Sequence, residues 1–449
     1  MFNSNRLGKD YTDMSSSELR AAKAQSLIED LNEAKAEFNA LTELELAIKY
    51  CEEVEETIYE STTGKFYTWS TYWEEQLRED LQGQILKFLE HRASSSLTEK
   101  VIYCLKSTFV TREMNTEQGL VPFSNGTYNL KTNVLEAHNK LDYFNWQLPR
   151  AYNPEAKEFP VISSFLKSLA NDNVELQAVF EALASMIFKR DLSLQKAAVL
   201  TGVGSNGKGV YTHLLELLVG DENTTAVSLQ DLQNNRFTTV SLLNKSLCTF
   251  TDADTYPGNV GTFKAITGGD KVSIEPKMKP SFSRVIPISM LIATNKTVFV
   301  GNQDTGLQRR LLYLPCDAII AEENKRDLIP ELEQELEAFT NYLLALDHKS
   351  IILGAKKIKA IANKTNELEA AGDSGIAFFH DKLILDPKSQ IQSSHLHDLY
   401  VAYCQKEQCH PKKGKRFSME LEAWFLVNNY PVQKSHTKAG SVFVGLKLV

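Results

Sequence analysis

A glycine-rich loop between a short apolar strand and a helix constrains this chain more than any other feature. The predicted strand Ala197–Thr201 runs directly into Gly-Val-Gly-Ser-Asn-Gly-Lys-Gly at residues 202–209, and a helix is predicted over Val210–Val219. Glycines let backbone N–H groups turn toward an anion, and the start of a helix adds positive potential. In this strand–loop–helix context, the loop predicts nucleotide phosphate binding rather than an ordinary glycine-rich turn.

The lysine of this loop is the residue expected to reach the β- and γ-phosphates of a nucleotide. The predicted ATP-binding residues are Gly202, Gly204, Ser205, Asn206, Gly207, Lys208, Gly209 and Val210. The position after the lysine usually holds Ser or Thr, whose hydroxyl binds Mg²⁺. Gly209 has no hydroxyl, which weakens the prediction of hydrolysis more than the prediction of binding.

Two carboxylates follow the next predicted buried strand. Asp252 and Asp254 come directly after the apolar run Ser246–Phe250. An acidic residue at such a strand end is the next requirement of nucleotide hydrolysis. Asp252 would hold Mg²⁺ through water, and Asp254 could orient or activate the attacking water. The alternative is that both residues simply begin a polar turn.

Asn295 and a pair of arginines complete the predicted catalytic set. Asn295 ends an apolar strand, where its amide can sense the γ-phosphate; capping of the strand end is the alternative. Arg309 and Arg310 stand just before the predicted strand Leu311–Leu314. A guanidinium there suits insertion into a neighbouring subunit's site, where it would neutralise transition-state charge. Ordinary surface ion pairs are the alternative.

In this order, the elements between Gly202 and Arg310 resemble a superfamily 3 helicase, and more narrowly the helicase part of the phage and plasmid primases of the P4/D5-like family. Gly119–Leu130 and Leu148–Pro154 are similar to the domain that precedes the ATPase in that family. The resemblance implies an α/β P-loop NTPase core of the AAA+-like type, with ATP and Mg²⁺ as cofactors. It also implies that Arg310, rather than Arg309, is the arginine finger, the residue inserted into a neighbouring subunit's site.

The same resemblance implies how the chain would contact DNA. The stretch Ile274–Phe282 would be a DNA-contacting hairpin, with Lys277 and Lys279 near its tip. Lysines of this kind grip the phosphate backbone without reading sequence. The expected assembly is a hexameric ring that moves 3′→5′ along one DNA strand. Its expected location is the host cytoplasm.

The C-terminal end of the chain is basic, whereas the N-terminal end is acidic. From Ile376 to Val449 there are 10 Lys and Arg against 6 Asp and Glu, but residues 1–80 hold 8 against 18. Two predicted helices, His395–Glu407 and Phe417–Asn428, precede a predicted hairpin, an order that resembles a winged-helix domain. A helical domain for packing or partner binding is the alternative. The expected DNA-binding residues there are Lys412, Lys413, Lys415, Arg416, Lys434 and Lys438.

Five parts are predicted along the 449 residues. They are a helical N-terminal segment (1–65), a D5-like domain (66–160), the ATPase core (161–325), a helical lid or linker (326–372) and a winged-helix-like domain (373–449). No membrane partner is expected, since no apolar run approaches the roughly 18–20 residues that spanning requires. Residues 1–120 offer no strand-rich region with clustered carboxylates, so no primase activity is expected.

The predicted function is an ATP-dependent DNA helicase that replicates a phage, plasmid or integrated element. One alternative is an ATP-gated initiator or regulator that binds DNA with little or no unwinding. A P-loop kinase acting on a small molecule is a weaker alternative, because Asn295, the paired arginines and the basic tail have no role in it.

Overall fold

The structure of this chain is a computed structural model, and it divides into two units. It describes residues 16–111, 114, 119–202, 204, 206–250, 253, 256, 258–299, 305–318, 326–407, 409–428, 430–437 and 440–449. The first unit contains Met1–Thr116 together with the short segment Lys140–Asn145. The second unit contains Glu117–Asn139 and Trp146–Val449. The five predicted domain boundaries stay predictions.

The first unit combines helices with a small sheet. Its elements are α1 (Ser16–Ala40), α2 (Glu43–Glu53), β1 (Thr57–Glu60), β2 (Lys65–Trp69), β3 (Trp73–Gln76), α3 (Arg78–Phe88), α4 (Ser95–Thr108) and β4 (Val110–Thr111). The sheet order is β3-β2-β1-β4. The sequence predicts a helical segment over residues 1–65, but α2 ends at Glu53 and strands follow. Residues 57–76 are rich in Thr, Tyr, Phe and Trp, which favour a pleated, half-buried surface over a helix.

Helices and sheet of the first unit share an apolar core. Leu46 and Tyr50 of α2 and Leu81 and Ile85 of α3 are fully buried. The start of α2 is fixed by a capping box, in which Thr42 and Glu45 each bond the other's backbone N–H. Such a box satisfies two of the donors that a helix start leaves open, so the helix begins at a defined residue.

The second unit begins with a small antiparallel sheet and two helices. They are β5 (Leu120–Phe123), β6 (Gly126–Asn129), β7 (Val134–Glu136), α5 (Pro160–Leu169) and α6 (Val174–Phe188). The Asn125-Gly126 pair between two short apolar stretches predicts a hairpin, and β5 and β6 form one. Because Phe123 pairs with Gly126, its two turn residues are Ser124 and Asn125 rather than the expected Asn-Gly pair.

A five-stranded parallel sheet forms the centre of the second unit. The elements are β8 (Ala197–Thr201), α7 (Lys208–Val219), β9 (Thr224–Ala226), α8 (Leu229–Asn234), α9 (Thr238–Ser241), β10 (Leu247–Phe250), α10 (Gly261–Gly268), β11 (Lys271–Ile274), β12 (Phe282–Val285), β13 (Ser289–Thr294), α11 (Thr305–Gln308) and β14 (Leu311–Pro315). The order β14-β8-β13-β10-β9 is parallel throughout. Every residue of β8, β10 and β14 is buried, as expected for strands covered on both faces.

The predicted α/β pattern of this region is thus confirmed at the level of strands and helices. The edge strand β9 was not predicted. It has three residues, none of them buried, so it carries no apolar run that the sequence could reveal. Its place in the sheet comes from pairing with β10, where Leu247 lies opposite Thr224.

The rest of the second unit consists of four helices and a C-terminal α/β part. The elements are α12 (Ile329–Gln334), α13 (Leu336–Ala345), α14 (His348–Gly354), α15 (Lys359–Gly372), α16 (Ser374–Lys382), β15 (Leu383–Gln392), α17 (Ser393–Lys406), α18 (Gly414–Val427), β16 (Gln433–Thr437) and β17 (Gly440–Leu448). Both predicted tail helices and the predicted hairpin are present. Helix α16 and strand β15 were not predicted, and β15 pairs with β17 to complete a sheet of order β15-β17-β16.

A buried side-chain hydrogen bond joins this C-terminal part to α15. Trp424 of α18 donates from Nε1 to Glu369 of α15 at 2.7 Å. Burial raises the pKa of the Glu369 carboxyl, and the Trp424 hydrogen bond acts against that rise. Among the described residues, no helix is both long and apolar enough to cross a bilayer.

Candidate nucleotide-binding site

The glycine-rich loop leaves β8 through a close approach of two backbones. The N–H of Cys316 donates to the carbonyl of Thr201 at 2.7 Å, and the Asn206 amide donates to the carbonyl of Cys316. A Cβ atom on Gly202 would collide with that carbonyl oxygen and with the Asn206 amide. Glycine is therefore required where the loop begins.

The start of α7 is open to an anion. Gly207 precedes the helix with a left-handed φ of 88°, a conformation that favours glycine, and it has no side chain that could cap the helix. Oδ1 of Asn206 accepts from the N–H of Lys208 at 3.5 Å. The first N–H groups of a helix lack intrahelical partners and carry positive potential. Cβ atoms added at Gly204 and Gly209 would meet no atom within 4 Å, so there is space beside the loop. These features fit the phosphates of a nucleotide.

Lys208 lies at the centre of this cradle and is only 9% exposed. Its Nζ donates to the carbonyl of Gly202 at 2.8 Å and to Oδ1 of Asn206 at 3.0 Å. Burial raises the pKa of the neighbouring Cys316 thiol to about 12, while the charge of Lys208 acts to lower it. A cation that is held away from water attracts a phosphate more strongly than one on the open surface.

Asn295 lies at the same edge of the sheet as the loop. Strands β8 and β13 are neighbours with Thr201 opposite Thr294, so both chains leave the sheet at the same level. Asn295 is exposed immediately after β13. The Thr294 hydroxyl donates to the carbonyl of Ala253 at 2.9 Å, which holds Ala253 at the same edge. Ligands of open parallel sheets bind at this carboxyl edge.

The predicted acids Asp252 and Asp254 lie outside the described residues, as does Ser205. Within the described ranges, no group of three or more His, Cys, Asp and Glu side chains could hold a metal ion. Gly209 supplies no hydroxyl. The cradle that the described loop residues form with the start of α7 therefore offers an anion backbone N–H groups and the ammonium group of Lys208.

The two arginines lie at the opposite edge of the sheet. The N–H of Ala197, the first residue of β8, donates to the carbonyl of Arg310 at 2.8 Å, whereas the loop follows the last residue of β8. A strand of this length spans about 15 Å, at roughly 3.3 Å per residue. The arginines of one chain are therefore too far from its own phosphate cradle to contact a nucleotide there.

The structure also distinguishes the two arginines from each other. Arg310 is 8% exposed, and its Nη1 donates to the carbonyl of Gly306 at 2.7 Å, whereas Arg309 is exposed.

Two further cations, Lys196 and Lys356, lie near these arginines and were not predicted from the sequence. Burial lowers the pKa of Lys196 to about 8, and the charges of Lys356 and Arg309 add to that shift. Lys196 directly precedes a buried strand, and that position is the only sequence signal that singles it out.

The predicted DNA hairpin is present as a hairpin. Strands β11 and β12 pair antiparallel from Lys271 opposite Val285 to Ile274 opposite Phe282. Lys277 and Lys279 are exposed on the loop between them, and Met278 at its tip is fully exposed. The structure thus presents two cations on a protruding loop.

The predicted DNA-binding residues of the tail are placed differently from one another. Lys412 forms ion pairs with Asp373 and, at 2.6 Å, with Glu420, so its charge is balanced within the chain. The Lys434 side chain is 18% exposed and lies 3.8 Å from a carboxylate oxygen of Glu422. Lys438 lies outside the described residues. Lys413 and Lys415 are exposed, and Arg416 is exposed but pairs through Nε with Glu420 at 2.7 Å.

Two family models match parts of the chain. Residues 44–170 match a model described as "D5 N terminal like". Residues 200–310 match a model described as "Family of unknown function (DUF5906)", which spans the loop and the two arginines. The D5-like resemblance of the region preceding the phosphate cradle is therefore confirmed.

Solved structures of the NrS-1 C-terminal region share the fold of this chain. The A-form apo structure has a TM-score of 0.54 at 12% identity and covers 90% of this chain and 100% of that one. An apo structure of its residues 305–718 has a TM-score of 0.53 at 12% identity, with coverage of 90% and 98%. An A-form apo structure of the same residues has a TM-score of 0.52 at 14% identity, with coverage of 90% and 100%.

Proposed function

We propose that this chain is the ATP-driven helicase of a DNA replication system of a phage, plasmid or integrated element. In this proposal it has an α/β P-loop NTPase core of the AAA+-like superfamily 3 type and a C-terminal winged-helix domain. The observation that carries the proposal is the cradle between β8 and α7, where buried Lys208 lies beside a helix start that Gly207 leaves without a capping side chain. The D5-like match of residues 44–170 supports the replication role.

The residues of the cradle would bind and orient the nucleotide. Backbone N–H groups at the start of α7 would hold the phosphates, and Lys208 would exchange its bonds to Gly202 and Asn206 for phosphate oxygens. Mg²⁺, assigned to Asp252, would neutralise phosphate charge when bound. Asn295 would contact the γ-phosphate, and Asp254 would accept a proton from the attacking water as the bond between the β- and γ-phosphates breaks.

The position of the arginines supports a site shared between subunits. Because Arg309 and Arg310 lie at the sheet edge opposite Lys208, either could neutralise transition-state charge only in a neighbouring copy. A closed ring provides every site with such a neighbour. We propose a hexamer that moves 3′→5′, with Lys277 and Lys279 gripping one strand in its channel and the exposed tail cations contacting duplex DNA.

A strand-separation assay on a forked duplex tests this proposal. The purified chain is expected to release the labelled strand with ATP and Mg²⁺, and not without ATP. Lys208→Ala is expected to abolish release while leaving DNA binding in place. Release by the wild-type chain that is independent of ATP, or equal release by Lys208→Ala, would contradict the proposed function.

Gly209 favours a second candidate function, an ATP-gated initiator or regulator that binds DNA with little unwinding. The hydroxyl that normally holds Mg²⁺ at this position is missing, and hydrolysis would suffer more than binding. The same assay separates the two candidates. An initiator would show nucleotide-dependent binding to DNA and no strand release.

A further inference from the structure

A groove next to the β11–β12 hairpin has no role in the proposed mechanism so far. It has a volume of about 530 Å³ and lies between the end of α8, the start of α10 and strand β11. Pockets of roughly 300–1,000 Å³ accommodate small ligands. Glu275, on the rim of the groove, is two residues from Lys277 at the hairpin tip. A ligand in the groove would therefore lie beside the lysines that are proposed to hold DNA phosphates.

Three carboxamide side chains that line the groove are held in one orientation. Oε1 of Gln233 accepts from the N–H of Thr262 at 3.1 Å, and Oδ1 of Asn259 accepts from the N–H of Gly261 at 2.8 Å. Oδ1 of Asn235 accepts from the N–H of Phe237 at 3.1 Å. A backbone N–H needs an acceptor, so in each case the amide oxygen is committed to the chain and the NH₂ group remains for a ligand.

One of these NH₂ groups has no partner among the described residues. It is Nε2 of Gln233, which is buried. A buried donor left without an acceptor destabilises the folded state. A ligand that carries hydrogen-bond acceptors would use the donors of the exposed Asn235 and Asn259, and a rotation of the Gln233 side chain would bring its Nε2 to the same ligand and relieve this cost.

The charges of the groove favour a neutral ligand over an anion. Among the described residues that line it, Arg236 and Glu275 are the charged ones, and they form an ion pair at 3.2 Å. A phosphate in the groove would meet the Glu275 carboxylate as well as the guanidinium. The edge of a nucleobase offers neutral acceptors instead, and Asn and Gln amides are common partners of base edges.

We propose that this groove binds a base of single-stranded DNA whose phosphates are held by Lys277 and Lys279. This inference rests on the proposed function, because it adds base contacts to a strand that the hairpin would grip. Bases of single strands can be splayed out and hydrogen-bonded along their edges. Thymine suits the groove, because both of its carbonyl oxygens are acceptors.

The test compares the binding of a thymidine oligonucleotide and an abasic oligonucleotide of equal length, measured by fluorescence anisotropy. Both carry the same phosphates, so the ratio of their affinities isolates the contribution of the bases. The wild-type chain is expected to prefer the thymidine strand roughly tenfold, as for a few neutral hydrogen bonds. Asn259→Asp and Gln233→Glu keep the acceptor for the backbone N–H and remove the donor, so each is expected to bring the ratio near one without unfolding the chain.

Gln230→Glu is the matched control, because it adds the same charge to an exposed position of the same helix outside the groove. It is expected to leave the ratio unchanged. The inference is overturned if the wild-type ratio is one, or if Asn259→Asp and Gln233→Glu weaken both oligonucleotides equally, which would indicate charge repulsion alone. Failure of the proposed function is seen separately, as loss of ATP-dependent strand release by a chain that still prefers thymidine.

Discussion

At the scale of single residues, Lys208 is the side chain whose removal tests nucleotide chemistry most directly. Its ammonium group is held in a buried cradle by Gly202 and Asn206. Lys208→Ala is expected to lower the rate of phosphate release from ATP by about 10²-fold or more, the effect of losing one stabilising group at a developing charge. Lys167→Ala, at an exposed lysine of α5, is the control. An equal rate for Lys208→Ala and the control would remove the assigned role.

Gly209 offers a second residue-scale prediction, because the structure leaves room for a side chain there. Gly209→Ala is expected to raise the free energy of unfolding by about 0.5 kcal/mol, since glycine costs a helix conformational entropy. Gly209→Ser adds the hydroxyl that Mg²⁺ binding normally uses, and we expect faster Mg²⁺-dependent ATP turnover than for Gly209→Ala. Equal turnover of the two variants would indicate that the missing hydroxyl does not limit hydrolysis.

At the scale of elements, a partly buried polar network joins the end of α6 to the start of α14. An Asp191 carboxylate oxygen lies 3.1 Å from Nε2 of His348 and 2.9 Å from Nζ of Lys349. On the other side of the ring, Nδ1 of His348 lies 3.4 Å from the hydroxyl of Ser185. The hydrogen bond from His348 is the main cause that holds the pKa of Asp191 far below its usual value of 3.8. The network therefore stabilises the folded chain whenever Asp191 is ionised.

This lowered pKa predicts how stability depends on pH. A carboxyl whose pKa is lower in the folded than in the unfolded chain stabilises the fold at any pH above its pKa in the unfolded chain. That stabilisation is lost as the pH falls from the unfolded-chain pKa to the folded-chain pKa. Asp191→Asn is expected to lower the free energy of unfolding by about 2 kcal/mol at pH 7, with a difference that shrinks below about pH 4. Denaturant titrations of the two chains at pH 7 and below pH 4 measure this difference in the free energy of unfolding. Asp172→Asn, at an exposed aspartate, should change little at either pH.

At the scale of the whole molecule, the separation of Lys208 from the arginines predicts complementation between copies. Lys208→Ala is expected to be inactive alone in ATP turnover. The variant of the arginine that enters the neighbouring site, Arg309→Ala or Arg310→Ala, is expected to be inactive alone as well. Mixed in equal amounts, they should recover about a quarter of the wild-type rate, the fraction of interfaces in a randomly mixed ring that keep both groups.

Arg326→Ala, at an exposed arginine paired with Glu331, is the control for the arginine variants and should retain wild-type activity. Arg310 donates to the Gly306 carbonyl, so the thermal unfolding of Arg310→Ala must be compared with that of the wild-type chain. A mixture that stays inactive while both variants remain folded and associated would contradict a site shared between copies.

How much could be predicted from the sequence depended on whether the signal was local. The strand before the loop, the helix after it, the hairpin at residue 125 and the two tail helices follow from apolar spacing and turn residues within a few positions. Strands β1–β3 were missed because a helical pattern precedes them and their pairing joins residues that lie apart in the chain. Strand β9 was missed because it is short and unburied.

By itself, the sequence determined that a glycine-rich loop with one lysine connects a buried strand to a helix, because adjacent residues carry that information. Only the tertiary structure decided that the arginines lie at the opposite sheet edge, that Arg310 is buried and Arg309 exposed, and that Lys412 is paired within the chain. It also decided the orientation of the amides in the groove. The physical reason is that strand order and side-chain pairing bring together residues far apart in the chain, and no local pattern of residue types records those distances.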